Sequence, residues 1–407
     1  MLQTLIRLAV LNLLRNRSRT TVAALTVAGG VVAFLLAGGF INWIFQDMRE
    51  ATIHSQLGHF QIVRPGYFEK GLSDPYNFLL PAQSEQESLV AAHPGLTSLT
   101  PRLVFFGLAS LGDTTVTFSG EGIDPVRERP ISSRITISEG NDLSGLEDKS
   151  VILGEGLAKN LGAKPGSQIV LLATAANGGA NAIEVTVAGI FYTINKEFDN
   201  YALRIPIPLA RKLMRVDGAT SWVGLLEDTD GTATTIKKIR SVLPSETFQL
   251  VPWSDLADFY NKTVVLFSKQ VEIIKIIIGL IIVLTISNIQ TMSVLERTTE
   301  IGTILAVGVR SREIWMQFLL EGLLLGIAGG LIGVMSAIFL AELISFIGIP
   351  MPPPPGMARG FTGQIIITTQ LVLDALALST ITTLLASLMP AWKASRLNIV
   401  DALRTNQ

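Results

Sequence analysis

The chain has no cysteine among its 407 residues, which removes disulfides, thiolate zinc sites and cysteine nucleophiles together. It is short of charge as well. Asp, Glu, Lys and Arg make up 16%, against about a quarter in an ordinary soluble protein. The net charge of -1 gives no electrostatic case for nucleic acid as a partner. The three histidines, His54, His59 and His93, lack metal-ligand spacing. His54 and His59 lie five apart, off a single helical face, and read as solvated or locally bonded. No Gly-x-Ser-x-Gly elbow is present. The nearest approach to a phosphate loop, Gly162 to Ser167, has its residues in the wrong order and reads as a turn before a strand. No catalytic residue, metal ligand or resident cofactor is expected in the chain.

What is abundant is apolar: 48% of the residues, with a mean hydropathy of +0.46. Between Arg19 and Asp47 no residue is charged, enough for a tilted membrane span and too long for the apolar part of a cleaved signal peptide. Further uncharged runs cover Ile276–Leu295, Gly322–Ala341 and Ala375–Trp392, the last ending near Pro390. Arg7, Arg15, Arg17 and Arg19 precede the first span, Arg297, Arg310 and Arg312 lie between the second and third, and Lys393, Arg396 and Arg404 follow the fourth. The loop between the third and fourth holds only Arg359. This asymmetry predicts cytoplasmic termini and an external segment between the first two spans.

The expected organisation is a cytoplasmic segment at 1–19, spans at 20–45, 271–295, 313–347 and 371–391, and an external domain with stalk helices at 46–270. A cytoplasmic helix at 296–312, an external loop at 348–370 and a cytoplasmic tail at 392–407 complete it. In the domain, 46–56 and 255–275 read as helical continuations of the spans, His59–Val63 as a strand, and 103–111 with 114–121 as a hairpin around Gly112-Asp113. Helices are expected at 85–92, 155–161 (stopped by Gly162), 209–215 and 232–243, and strands at 168–173 and 183–191. Pro350 and Pro352–Pro355 read as a stiff external connection.

Two segments carry functional signals. In the cytoplasmic loop, Glu296 and Glu300 are i,i+4 neighbours that repel unless something basic answers them. Ile301, Ile304 and Leu305 form an apolar stripe beside them. Such a helix suits a groove on a soluble partner; the alternative, a helix resting on anionic headgroups, fits its acidic end poorly. In the third span, Gly326, Gly329, Gly330 and Gly333 read as one smooth packing face, and Glu321 is either a functional intramembrane acid or a bond to a neighbouring helix. Phe40, Trp43 and Ile44, with Leu266 and Phe267, are candidate acyl-chain contacts, or plain lipid-facing and packing residues.

The segments Glu296-Arg297-Thr298-Thr299-Glu300-Ile301-Gly302 and Ala306-Val307-Gly308-Val309-Arg310 resemble the FtsX-like (MacB/LolC/LolE-type, or type VII) permeases of ABC transporters. Gln317–Gly322, Pro390–Leu397, Val400–Arg404 and Asn12–Arg17 extend the resemblance over the membrane half of the chain. It implies a membrane α-helical fold of four transmembrane helices, with a large periplasmic α+β domain inserted between helices 1 and 2. It also implies a coupling helix (Glu296, Arg297, Glu300, Ile301, Gly302, Ile304, Gly308, Arg310) seated on a separate ATPase. ATP and magnesium would bind in that ATPase, two copies of which would serve two permease subunits, alike or sister chains. The expected place is the bacterial inner membrane. The expected work is ATP-driven release or export of lipoprotein or lipid toward the outer membrane, with a periplasmic carrier and membrane lipids as further partners. Tripartite efflux and regulation of a periplasmic enzyme are the alternatives.

Overall fold

The computed structural model describes residues 2–71, 74–353 and 360–398. Arg359, Pro354, Pro355 and the Val400–Arg404 motif lie outside them. Two compact units form: Met1–Phe45 with Thr263–Pro350 and Thr362–Gln407, and Gln46–Lys262 with Met351–Phe361.

In the first unit an N-terminal helix, Leu2–Arg15, precedes the long apolar helices. Among the described residues, four helices are long and apolar enough to cross a membrane: Arg17–Leu57, Asp258–Glu296, Ser311–Ile347 and Thr369–Ser395. The fourth passes through Pro390 rather than ending at it, with Pro390 and Ala391 buried against neighbouring helices. A proline removes one backbone bond, and tight packing on both sides of it lets the helix continue.

The glycines of the third helix do not form one face. Gly329 and Gly333 lie against the first helix, where an added Cβ at Gly333 would stand 2.7 Å from the Cβ of Val31. Gly326 and Gly330 lie against the fourth, where an added Cβ at Gly330 would meet the Ser379 hydroxyl at 2.6 Å. A set at i, i+3, i+4 and i+7 spans enough of the circumference to serve two neighbours at once, so backbones approach closely on both sides. Val31, Phe34 and Leu35 of the first helix then bury with Val334, Ala337, Leu371 and Ala375.

The second unit is built on ten strands: β1 (Phe60–Val63), β2 (Leu96–Leu111), β3 (Thr114–Ile123), β4 (Thr136–Gly140), β5 (Ser150–Gly154), β6 (Gln168–Thr174), β7 (Ala180–Tyr192), β8 (Ala202–Pro206), β9 (Ser221–Leu226) and β10 (Gln249–Pro252). The pairings β2–β3, β3–β8, β8–β5, β5–β7, β7–β6 and β6–β2 close a ring of six strands. A second, open group runs β10–β1–β9–β2. β2 belongs to both: Arg102 is paired to Ser221 of β9, and the next residue, Leu103, to Gly122 of β3. Closure leaves β6 with Ile169, Leu171 and Ala173 inside and Val170 and Leu172 outside. Gly112, at φ 57°, makes the β2–β3 turn in the left-handed region that glycine tolerates.

His59, expected to be solvated or locally bonded, is buried in this unit. The Leu226 amide donates to its Nδ1 at 3.0 Å, so Nε2 carries the proton and donates to Thr229 Oγ1 at 2.9 Å. Thr229 in turn donates to Glu50 at 3.3 Å. Burial first, then the adjacent His54, lower the His59 pKa to about 4. The unfolded chain therefore takes up a proton below pH ~6.5 that the native chain refuses until about 4, so this group removes stability as pH falls through that window. Asp199, raised by burial to about 6, acts in the opposite sense, adding stability on acidification. The check is a difference: the melting temperature of His59→Asn should fall less than that of wild type between those pH values. Parallel curves would show that His59 does not titrate on unfolding.

Candidate coupling site

The second long helix runs to Glu296 and breaks at Arg297, whose φ and ψ of -100° and 13° leave helical geometry. A short helix, Thr298–Ala306, follows, and Gly308 at φ 99° turns the chain into the third helix, which starts at Ser311. The expected single helix over 296–312 is therefore a helix end, a short helix and a glycine turn. Glu296 belongs to the first of these, Gly308 and Arg310 to the last.

The two acids are answered from within the chain. Arg15 donates to Glu300 at 2.8 Å, and Arg19 forms a two-pronged pair with Glu296. The Arg15 hydrogen bond, backed by Arg297, holds the Glu300 carboxyl below its ordinary range. Both pairs are substantially exposed, so each contributes about 0–1 kcal/mol. The deeper link is buried: Arg297 Nη1 donates to Glu321 Oε1 at 3.3 Å, Asn12 Nδ2 donates to the same oxygen at 2.8 Å, and Arg297 lies over the Phe318 ring. The N-terminal helix, the break at Arg297 and the third helix thus meet at one carboxylate. A cavity of about 40 Å³ adjoins it, lined in part by Asn16, Gln290 and Ser293. Gln290 is buried with both amide atoms unpartnered by protein, and a polar space of this size accommodates water.

Ile301 and Gly302 are buried too, Ile301 within a cluster of Phe318, Ile314, Ala391 and Ala394. The apolar stripe therefore divides: Ile301 holds the short helix onto the bundle, while Ile304 remains exposed. Beyond it Val307 is 82% exposed, at the tip of the turn and next to Gly308 and Arg310. Val307 lies in a segment that carries the family resemblance but was not among the expected coupling residues, although a branched apolar residue before a glycine turn is a usable signal.

The FtsX-like permease C-terminal family matches residues 273–399, and the MacB-like periplasmic core domain family matches 20–242, more than half of the chain. The chain belongs to the FtsX/MacB-type permeases of ABC transporters. A macrolide export ATP-binding/permease protein MacB of Psychrobacter cryohalolentis is 36% identical over 138 residues, 34% of this chain and 19% of that protein. The chain thus spans about a fifth of the length of the MacB proteins it matches. An uncharacterized ABC transporter permease of Methanocaldococcus jannaschii is 25% identical over 294 residues, 69% of this chain and 68% of that one. Among solved structures, the periplasmic region of MacB from Actinobacillus actinomycetemcomitans overlaps 50% of this chain and 93% of its own, with a TM-score of 0.37 and 13% identity. The two family matches, with the four apolar helices, make this permease a membrane protein bearing a MacB-type periplasmic core domain.

The acyl-chain candidates, expected as two facing apolar regions, are spread over different surroundings. Phe40 stacks on Trp43 and lies over Gly363, while the ring that meets Phe267, edge to face at 6.5 Å, is Phe45. Five positions along a helix turn a side chain well away from its starting face, which separates Phe45 from Phe40. Ile44 is buried and Leu266 is 57% exposed, so the five residues do not line one surface.

Proposed function

We propose that the permease transmits force rather than conducting cargo. A separate ATPase docks on the exposed tip Ile304–Val307–Gly308, and its nucleotide-driven closure moves the second and third helices of two permease copies. The work appears in the domain on the far side of the bacterial inner membrane. The observation that carries this reading is the build of the short helix: its inner residues, Arg297 and Ile301, are fixed into the bundle while Val307 projects bare. A rigidly seated lever with an apolar end suits a groove on a soluble protein. Lipoprotein or lipid is the proposed cargo, consistent with an apolar outer region around Phe45 and Phe267. Macrolide export, named for the MacB relatives, supports a second reading in which small molecules are expelled.

The absence of cysteine makes the test direct. Val307→Cys and Thr117→Cys, made singly, should react with a membrane-impermeant thiol reagent from opposite sides of the inner membrane, and an ATPase subunit should copurify with the chain. Labelling of both positions from one side would end the proposal.

A further inference from the structure

The last turn of any helix leaves its terminal carbonyls without intrahelical partners. At the end of the first membrane helix every one of them is taken. Gly58 N–H donates to Ile53 O at 3.0 Å, Arg134 N–H to His54 O at 3.0 Å, and Gln61 Nε2 to Leu57 O at 3.2 Å. Arg204 Nη2 donates to Ser55 O at 3.0 Å, and Arg102 Nη1 donates to Gln56 O. Gly58 admits no side chain, since a Cβ there would strike Gly224 and Val223 of β9.

The two arginines are themselves held. Arg204, in β8, donates through Nε to Glu121 of β3 at 2.8 Å and through Nη1 to Ser132 at 2.8 Å. Arg102 donates to Glu128 and lies 3.7 Å from Glu121. Both guanidinium groups are almost wholly buried, and Arg102 occupies the place where β2 leaves the open strand group for the closed ring. Two cations therefore bind carbonyls of the π turn that ends this helix, just past a break at His54 (φ -90°, ψ 15°), each anchored by carboxylates on other elements. Burying four ionised groups in one place is a poor way to gain stability alone.

We propose that Arg102 and Arg204 are positioning residues that clamp the end of the first membrane helix to both parts of the sheet, so that displacement of the helix becomes displacement of the domain. This rests on the force-transmission reading and names where force enters the domain. The five-residue π turn at Ile53–Leu57 is then a rigid joint and not a hinge.

The test uses the full chain in lipid nanodiscs with spin-label pairs at introduced cysteines. Gln46→Cys with Thr117→Cys measures helix against ring, and Thr117→Cys with Thr186→Cys measures the ring alone. Arg102→Met and Arg204→Met with Glu121→Gln and Glu128→Gln remove both halves of the grip without leaving an unpaired buried charge. The helix-to-ring distance distribution should broaden about twofold while the ring distribution is unchanged. Two unchanged distributions, or two equally broadened ones, would overturn the proposal, the second because the charges would then hold the ring and not the joint. Failure of the force-transmission reading is separable: in the wild-type complex with its ATPase, magnesium-ATP and vanadate would leave the Thr117-to-Thr117 distance between two copies unmoved.

Discussion

Arg297→Met should destabilise the helical bundle by about 3–5 kcal/mol, because it strands the Glu321 carboxylate in a buried site. Glu321 is 5% exposed, and with Arg297 gone only the Asn12 amide would answer it. Restoring neutrality separates lost attraction from stranded charge. Arg297→Met with Glu321→Gln should recover most of the loss, since the Gln carbonyl still accepts from Asn12 and no ion remains to be desolvated. Thermal unfolding of the purified chain in nanodiscs, run as a double-mutant cycle, measures both. Equal losses for the single and the double variant would show that the carboxylate–guanidinium contact has no energetic weight.

The other large effect belongs to binding. Val307→Asp should weaken attachment of the ATPase by about 2 kcal/mol or more, roughly thirtyfold, as expected for an apolar anchor at the centre of a small interface. It should leave the melting temperature of the permease alone, because the side chain is almost fully exposed. Reversing Glu300 to Lys acts differently, since its contacts are Arg15 and Arg297 of the same chain, and adding Arg15→Glu should restore part of what it costs. Copurification of the ATPase at increasing salt reads these outcomes. Undiminished capture by Val307→Asp would mean that the tip is not the docking point.

The hairpin at Gly112, the helix closed by Gly162 and the amphipathic segments were legible because each has a local cause: a turn, a cap or a period. β5, β8 and β9 went unseen, all their residues being buried and so lacking the alternation of a half-exposed strand, although β1, buried throughout as well, was expected. The start of β2 was hidden by Pro101, which sits in a strand that bulges and changes partners nearby. At the coupling site the acids were recognisable as a pair in want of a cation. The answering arginines lie 277 and 285 residues away in the chain, and nothing local points to them. The double arginine grip was invisible for the same reason.

The divided glycines of the third membrane helix have a mechanical meaning. Where helices interlock through large side chains, lengthwise sliding must lift each knob from its hole before it can drop into the next. Gly329 and Gly333 on one flank, and Gly326 and Gly330 on the other, offer no knobs. The knobs come from the neighbours instead: Val27 and Val31 on one side, and Ser379 and Thr383 on the other, sit where side chains of the third helix would stand, so a larger residue at any of these glycines would push one partner helix away and leave the other in place.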